Sequence, residues 1–235
     1  MTSKGQGLSR MKAFMAAATV VFALLVVVAG PAAASDTLEA EGIVDKARIT
    51  LINFMDDSNY SWFHNQLKNA RGVLIFPQML KGGFFLGGSG GTGVLLVKDE
   101  KTGEWSYPAF YTMGSISFGL QFGGEAAEVV MLVMTKKGVD SLYSSSVKLG
   151  GDTSISIGPV GAGAKGEVIT DIISFAKSKG LYAGLNLEGS ILTVRDGLNE
   201  GYYGKDVRPV EIIVFKKASN KKADELRSSL AKAAR

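Results

Sequence analysis

Ile116-Ser-Phe-Gly-Leu-Gln-Phe122 alternates large apolar side chains with small or polar ones, and Leu181-Tyr-Ala-Gly-Leu-Asn-Leu187 repeats the alternation. A period of two puts the large residues on one face of a strand and the small ones on the other. Ile155-Ser-Ile157 is a shorter instance. Glycine on the small face lets a sheet curve tightly or lets a neighbouring backbone come close. Of the 30 glycines, 26 fall between residues 72 and 204, a density that argues against long helices there. The strongly apolar residues between them argue equally against disorder.

Working outward, Val73 to Phe76, Val94 to Val97, Val129 to Met134 and Val210 to Phe215 are continuous apolar runs rich in β-branched residues. Such runs read as strands buried on both faces. Pro77 is expected to end the first of them, because it has no N–H for a ladder. Lys101-Thr-Gly103 and Lys177-Ser-Lys-Gly180 read as hairpin loops, and Lys136 to Ser144 as one brief helix. Residues 168 to 176 fit a helix or a strand, and the strand leading to the turn at Gly180 is preferred.

Ahead of the glycine-rich region, Val44, Ala47, Leu51 and Met55, flanked by Leu38, Ile43, Ile52 and Phe54, recur at three- and four-residue intervals. This predicts an amphipathic helix over Leu38 to Met55, with Ser35, Asp36 or Thr37 as N-cap. A second helix is expected from Ser61 to Ala70. The fold class is therefore α+β and predominantly antiparallel β: a curved or barrel-like glycine-rich sheet with N-terminal amphipathic helices.

The chain opens with Lys4, Arg10 and Lys12, an apolar run from Ala13 to Ala29, Gly30-Pro31 and Ala32-Ala-Ala34. That order reads as a secretory signal over residues 1–34, cleaved before Ser35, with an uncleaved anchor as the alternative. The domain is then expected to be exported, periplasmic or envelope-associated. Residues 35–71 form the helical segment, 72–215 a β-rich core and 216–235 a basic tail. Ala223, Leu226, Leu230 and Ala233 give that tail helical spacing, read either as a solvated terminal helix or as attraction to an anionic surface.

Charge bounds the partners. The whole chain carries +4, but three of its 26 basic residues lie in the signal, which leaves 23 against 22 acidic residues, a net +1. A general nucleic-acid binder would be far more basic. The tail holds seven cations against Asp224 and Glu225, a net +5. No cysteine is present, which excludes disulfides and thiolate metal sites.

Motifs that resemble catalytic ones lack their context. Gly87, Ser89 and Gly91 match a nucleophile elbow, yet a strand follows, and His64, the only histidine, lies upstream. Two Gly-x-Gly-x-x-Gly matches, at Gly88, Gly90, Gly93 and at Gly161, Gly163, Gly166, are expected by chance in so glycine-rich a chain. A lone histidine builds no zinc site, and Asp56-Asp-Ser-Asn59 lacks the spacing of a calcium loop. Glu125, Glu128, Asp140 and Glu188 supply carboxylates whose spacing selects no pair. No catalytic residue, metal or cofactor is implied. Trp105, Tyr107, Phe110 and Tyr111 read as core and rim of a sheet, or as an interfacial aromatic patch.

Nine segments, in order, resemble the SYLF domain family of lipid-binding, actin-patch-like domains. They are Gly72-Val-Leu-Ile-Phe-Pro77, Lys81-Gly-Gly-Phe84 through Gly93-Val-Leu, Pro108-Ala-Phe110, Ser117-Phe-Gly-Leu-Gln121, Lys148-Leu-Gly-Gly-Asp152, Gly158-Pro-Val-Gly161, Gly180-Leu-Tyr-Ala-Gly184, Leu187-Glu-Gly-Ser190 and Tyr202-Tyr-Gly204. The resemblance implies a compact β-rich domain, no enzymatic activity, and phospholipid binding through an amphipathic segment corresponding to Leu38 to Met55. Actin and phosphoinositides belong to cytosolic members and are not expected partners of an exported copy.

The leading expectation is a non-enzymatic binder of membrane phospholipid with anionic headgroups. Its candidate contact residues are Val44, Lys46, Arg48, Leu51, Ile52, Phe54, Met55, Lys68, Arg71 and Lys81. In the competing arrangement the apolar face of this helix packs on the sheet. The alternative function is a structural or protein/glycan-interaction module of the envelope.

Overall fold

The computed structural model describes residues 32–83, 86–118, 125–161, 163, 166, 168–178 and 187–235; the side chains of 32–34, 81–83, 86–87, 116–118 and 125 are left undescribed. Residues 1–31 of the expected signal, Gly119 to Phe122 of the opening alternation, and most of Leu181 to Leu187 lie outside this set.

Helix α1 (Ala32–Met55) leads through a 3-10 turn (Ser58–Tyr60) into α2 (Ser61–Leu67). Eight strands follow: β1 (Gly72–Gly83), β2 (Leu86–Val97), β3 (Ala109–Phe118), β4 (Glu125–Val133), β5 (Ser146–Lys148), β6 (Ile155–Ile157), β7 (Ile172–Ser178) and β8 (Ile191–Val194). Helix α3 (Lys136–Ser141) lies between β4 and β5, and α4 (Asp196–Tyr203), α5 (Pro209–Ile213) and α6 (Asp224–Ala233) come after β8. The strands make one sheet in the order β5-β8-β3-β2-β1-β4-β7-β6. It curls into a half-barrel. Every pairing is antiparallel except β6 with β7.

Three of the four continuous apolar runs, in β1, β2 and β4, do bury both faces. Val73 and Ile75 join a cluster with Val44, Leu51, Phe54, Phe63 and Leu226, while Leu74 and Phe76 join Tyr111, Leu142, Leu192 and Ile212 on the other side. Helices α1, α2 and α6 thus cover one face, and α3 and α5 the other. Among the fully buried aromatic rings, Phe54, Tyr60, Phe63 and Phe175 stack at tilted or edge-on angles, with Phe54 and Tyr60 centroids 4.6 Å apart. Trp105, Phe110 and Tyr111 are interior, so the expected aromatic patch is core rather than surface.

Several expectations are corrected. Pro77 does not end β1; the strand continues to Gly83, and its register with β2 shifts between Ile75 and Leu80, with β4 between Phe76 and Met79. A bulge places the residue that has no N–H where the ladder asks for no donor. Glycine makes the bulge fit. A Cβ on Gly93 would lie 2.3 Å from the Ile75 carbonyl oxygen, and one on Gly91 2.3 Å from that of Gln78.

Val210 to Phe215 is not a strand. Pro209 occupies the first turn of α5 with Arg208 extended before it, and the Glu211 carboxylate accepts the Arg208 N–H at 3.2 Å, so the apolar run is wound into a helix. Helix α1 begins ahead of the expected caps. Thr37, inside it, instead donates to the Gly201 carbonyl at 2.8 Å, where a side chain at Gly201 would meet Asp36. The basic tail is no solvated appendage: Ala223, Leu226 and Leu230 are buried, Arg48 Nε pairs with Glu225 Oε2 at 3.3 Å, and Lys222 Nζ with Glu41 Oε2 at 3.5 Å. Of the ambiguous residues 168 to 176, those from Ile172 onward form strand β7, as preferred.

Candidate functional site

The N-terminal helix has two apolar sides. Val44, Ala47, Leu51 and Phe54 point into the core and are at most 1% exposed. Ile49 and Ile52 face outward, 51% and 37% exposed. A helix packed on one sheet needs a single apolar stripe, so the outer pair is surplus to the core.

Beside it lies a groove of about 630 Å³ between α1 and the sheet, lined by Lys46, Ile49, Asn53, Pro77, Ala126 and Lys177 among others. Its floor is β4. Glu128 there accepts hydrogen bonds from the Thr50 hydroxyl at 2.8 Å and the Asn53 amide at 3.0 Å, which fixes the rotation of α1. Leu80 is paired with Ala126 and is 56% exposed, so it extends the apolar floor past the bulge. Lys177 forms the far wall: its ammonium bridges Asp57 Oδ2 at 2.9 Å, donates to the Asn53 carbonyl at 3.1 Å and sits 5.9 Å from the Tyr60 ring centroid. The hydrogen bond from Lys177, then that from the Asn59 N–H, holds the Asp57 carboxyl below its ordinary range.

The ten residues proposed from sequence separate. Val44, Leu51 and Phe54 are core and unavailable to a bilayer in this fold, because the sheet already occupies that side of the helix. Met55 is half-buried against the same core. Lys46 is exposed and lines the groove, whereas Ile52 is exposed and lies outside its lining. Arg48 is half-buried and paired with Glu225. Lys68 is exposed after α2, and Arg71 is paired with Glu100 at the other end of β1. Lys81 lies on β1 next to Leu80, its side chain outside the described set.

Sequence reasoning missed Ile49, Leu80 and Lys177. A second stripe was present in Ile49 and Ile52 three residues apart, but the stronger inner stripe masked it. Leu80 and Lys177 become neighbours only through the β1–β4–β7 register.

Two of the residues set aside on chemical grounds, Ser89 and His64, serve as ordinary structural partners. Ser89 is in the middle of β2, its hydroxyl 2.7 Å from that of Ser115 on β3. His64 Nε2 lies 2.8 Å from the Phe54 carbonyl, its ring edge-on to Phe63. No helix among the described residues is long and apolar enough to cross a membrane.

A family described as Ysc84, Las17-binding protein actin regulator, matches residues 114–233, just over half of the chain, from within β3 to the end of α6. The chain belongs to the Ysc84 (SYLF) domain family. The SYLF match takes in the basic tail, in keeping with the packing of α6. Similar full-length proteins include the SH3 domain-containing protein PJ696.02 of Schizosaccharomyces pombe, 33% identical over 68% of this chain and 38% of the relative. SH3 domain-containing YSC84-like protein 1 of Bos taurus is 29% identical over 63% of this chain and 44% of its own length. LAS seventeen-binding protein 3 of Saccharomyces cerevisiae is 34% identical over 59% of this chain and 31% of its own. The SYLF chain therefore spans less than half the length of these relatives. No solved structure matches it.

Proposed function

We propose that this SYLF protein is a non-enzymatic phospholipid-binding protein of the cell envelope, exported behind residues 1–34, that lies on a bilayer through the outer stripe of α1. The observation that carries the reading is the exposure of Ile49, at the groove with Lys46, and of Ile52 on the same helix after the core has been filled by its other side, with Leu80 exposed on β1 outside the groove lining.

Ile49, Ile52 and Leu80 are about half exposed, so inserting them into the headgroup boundary gains about 1 kcal/mol each, and Lys46 near an anionic surface adds about 1 kcal/mol. The sum, on the order of 4 kcal/mol, describes a weak, reversible contact that works at millimolar lipid. Las17 and actin appear in the description of the family, and an exported copy meets neither.

The test is co-sedimentation of the purified protein with vesicles of phosphatidylglycerol and phosphatidylcholine, and with phosphatidylcholine alone, at low and high salt. Binding that needs the anionic lipid and weakens with salt supports the reading. A protein that stays in the supernatant throughout sinks it and leaves the protein- or glycan-interaction reading.

A further inference from the structure

A second apolar projection stands elsewhere on the molecule. After α5 the chain exposes Val214 (49%) and Phe215 (62%), although Ile212 and Ile213 just before them are buried. This tip is held rigidly. The Phe215 N–H donates to the Val210 carbonyl at 3.1 Å and the Lys217 N–H to that of Glu211 at 2.9 Å. Lys216 between them has φ 51°, a left-handed conformation that a lysine adopts only at a cost.

Cations stand near the tip. Lys217 Nζ lies 5.6 Å from the Phe215 ring centroid, Lys205 Nζ donates to the Lys217 carbonyl, and Arg208 pairs with Glu211 at 3.8 Å. Lys216 reaches Asp99 at 2.7 Å, and Lys217 reaches Glu211 at 2.9 Å. An aromatic wedge beside lysines and an arginine that outnumber the carboxylates they pair with suits the interface of an anionic bilayer.

Its place in the fold decides what such a wedge does. Helix α5 packs on the face of the sheet opposite α1, since Ile212 and Ile213 share a cluster with Leu74 and Phe76 while Val44 and Leu51 share one with Val73 and Ile75. It also lies at the opposite end of β1. Lys216 is tied to Asp99, just beyond the Val97 that pairs with Gly72, whereas the α1 groove opens at Pro77 and Gln78. The seven residue steps from Arg71 to Gln78 alone span about 23 Å. The two projections are diagonal across the sheet, and one flat surface cannot take both.

We infer that Val214 and Phe215 form a second lipid contact, so that the protein bridges two membrane surfaces, one held by α1 and the other by the tip after α5. This rests on the lipid reading above for the first contact. The experiment mixes donor- and acceptor-labelled vesicles of equal parts phosphatidylglycerol and phosphatidylcholine with the purified protein and follows energy transfer alongside co-sedimentation. The native protein brings the two populations together. Phe215→Ser still pellets with vesicles through α1 but loses clustering by about tenfold. Ile49→Ser with Ile52→Ser still pellets through the tip and likewise fails to cluster. Phe215→Trp gives a blue-shifted emission on vesicle addition if the tip inserts.

Native protein that pellets but does not cluster, Phe215→Ser that clusters as well as native, or Phe215→Trp with unchanged emission overturns the bridge and leaves the α1 contact standing. Absence of any pelleting overturns both readings. Circular dichroism of each variant confirms that the exposed substitutions leave the fold intact.

Discussion

Thr50 on α1 donates its hydroxyl proton to Glu128 on β4 across 2.8 Å, although 78 residues separate them. Thr50 is 1% exposed, and its bond pins one side of the helix inward. Ile49, its neighbour in sequence, is thereby turned outward.

Breaking this pin loosens α1 without emptying the core. Glu128→Ala leaves the Thr50 hydroxyl and the Asn53 amide without their acceptor, at an expected cost of about 1–3 kcal/mol. Urea denaturation followed by circular dichroism reads it as a lower midpoint with an unchanged slope. A midpoint equal to native would show that the pin contributes nothing.

The two sides of α1 should part in mutagenesis. Leu51→Ala empties a site that is 1% exposed and should destabilise by about 2–5 kcal/mol. Ile49→Ser with Ile52→Ser should stay within about 0.5–1 kcal/mol of native, because surface positions carry little stability, and still weaken vesicle binding through α1. Thermal melts and co-sedimentation at increasing lipid make the comparison. Equal melting losses would mean that the outer pair also serves the core.

Glycine at the β1 bulge should be irreplaceable. Gly93→Ala sets a methyl group 2.3 Å from a backbone oxygen that cannot swing aside, so a loss of more than about 2 kcal/mol is expected. Gly114→Ala is the control: a Cβ there meets nothing within 4 Å, and a gain of up to about 0.5–1 kcal/mol from a stiffer unfolded chain is expected. Denaturation midpoints moving in opposite directions would bear this out.

Acid should unfold the protein by protonating carboxylates held below their ordinary range, Asp171 and Asp57 among them. Burial raises the Asp171 carboxyl, but hydrogen bonds from the Thr135 hydroxyl (2.6 Å) and from the Ser154 hydroxyl (2.7 Å) and N–H (3.1 Å) outweigh it, and the net shift is downward. Asp57 is lowered by Lys177. A carboxyl with a folded pKa below its unfolded 3.8 stabilises fully above that value, and the contribution is lost as pH falls further. Stability should therefore drop steeply below about pH 4. Asp171→Asn should lower stability at neutral pH and flatten that acid limb; an unchanged limb would place the sensitivity elsewhere.

Legibility followed the physics of the signals. The paired faces of Val73 to Phe76 and Val129 to Val133 were readable because a run longer than one face can hold must be covered twice. The inner stripe of α1 was readable from its spacing. The strand order was not, since β1 lies between β2 and β4 only because distant registers agree. Helix α4 escaped notice because Gly197 and Gly201 sit within it. Gly201 is there for the close approach of α1, a reason no local pattern displays. Pro77 and Pro209 misled in opposite ways: one is absorbed by a bulge and the other starts a helix. The candidate site mixes two readable residues, Lys46 and Ile52, with Ile49, whose stripe the inner one masked, and with Leu80 and Lys177, whose position depends on tertiary pairing.

The clasp between α1 and α6 sets a condition on biosynthesis. Val44 and Leu51 share one cluster with Leu226 and Leu230, and Arg48 meets Glu225. The cluster around α1 therefore cannot close until Leu230 has left the ribosome. Until then the nascent polypeptide keeps α1 without its cover, and loss of Leu226 and Leu230 leaves that helix with a greasy flank bare to solvent.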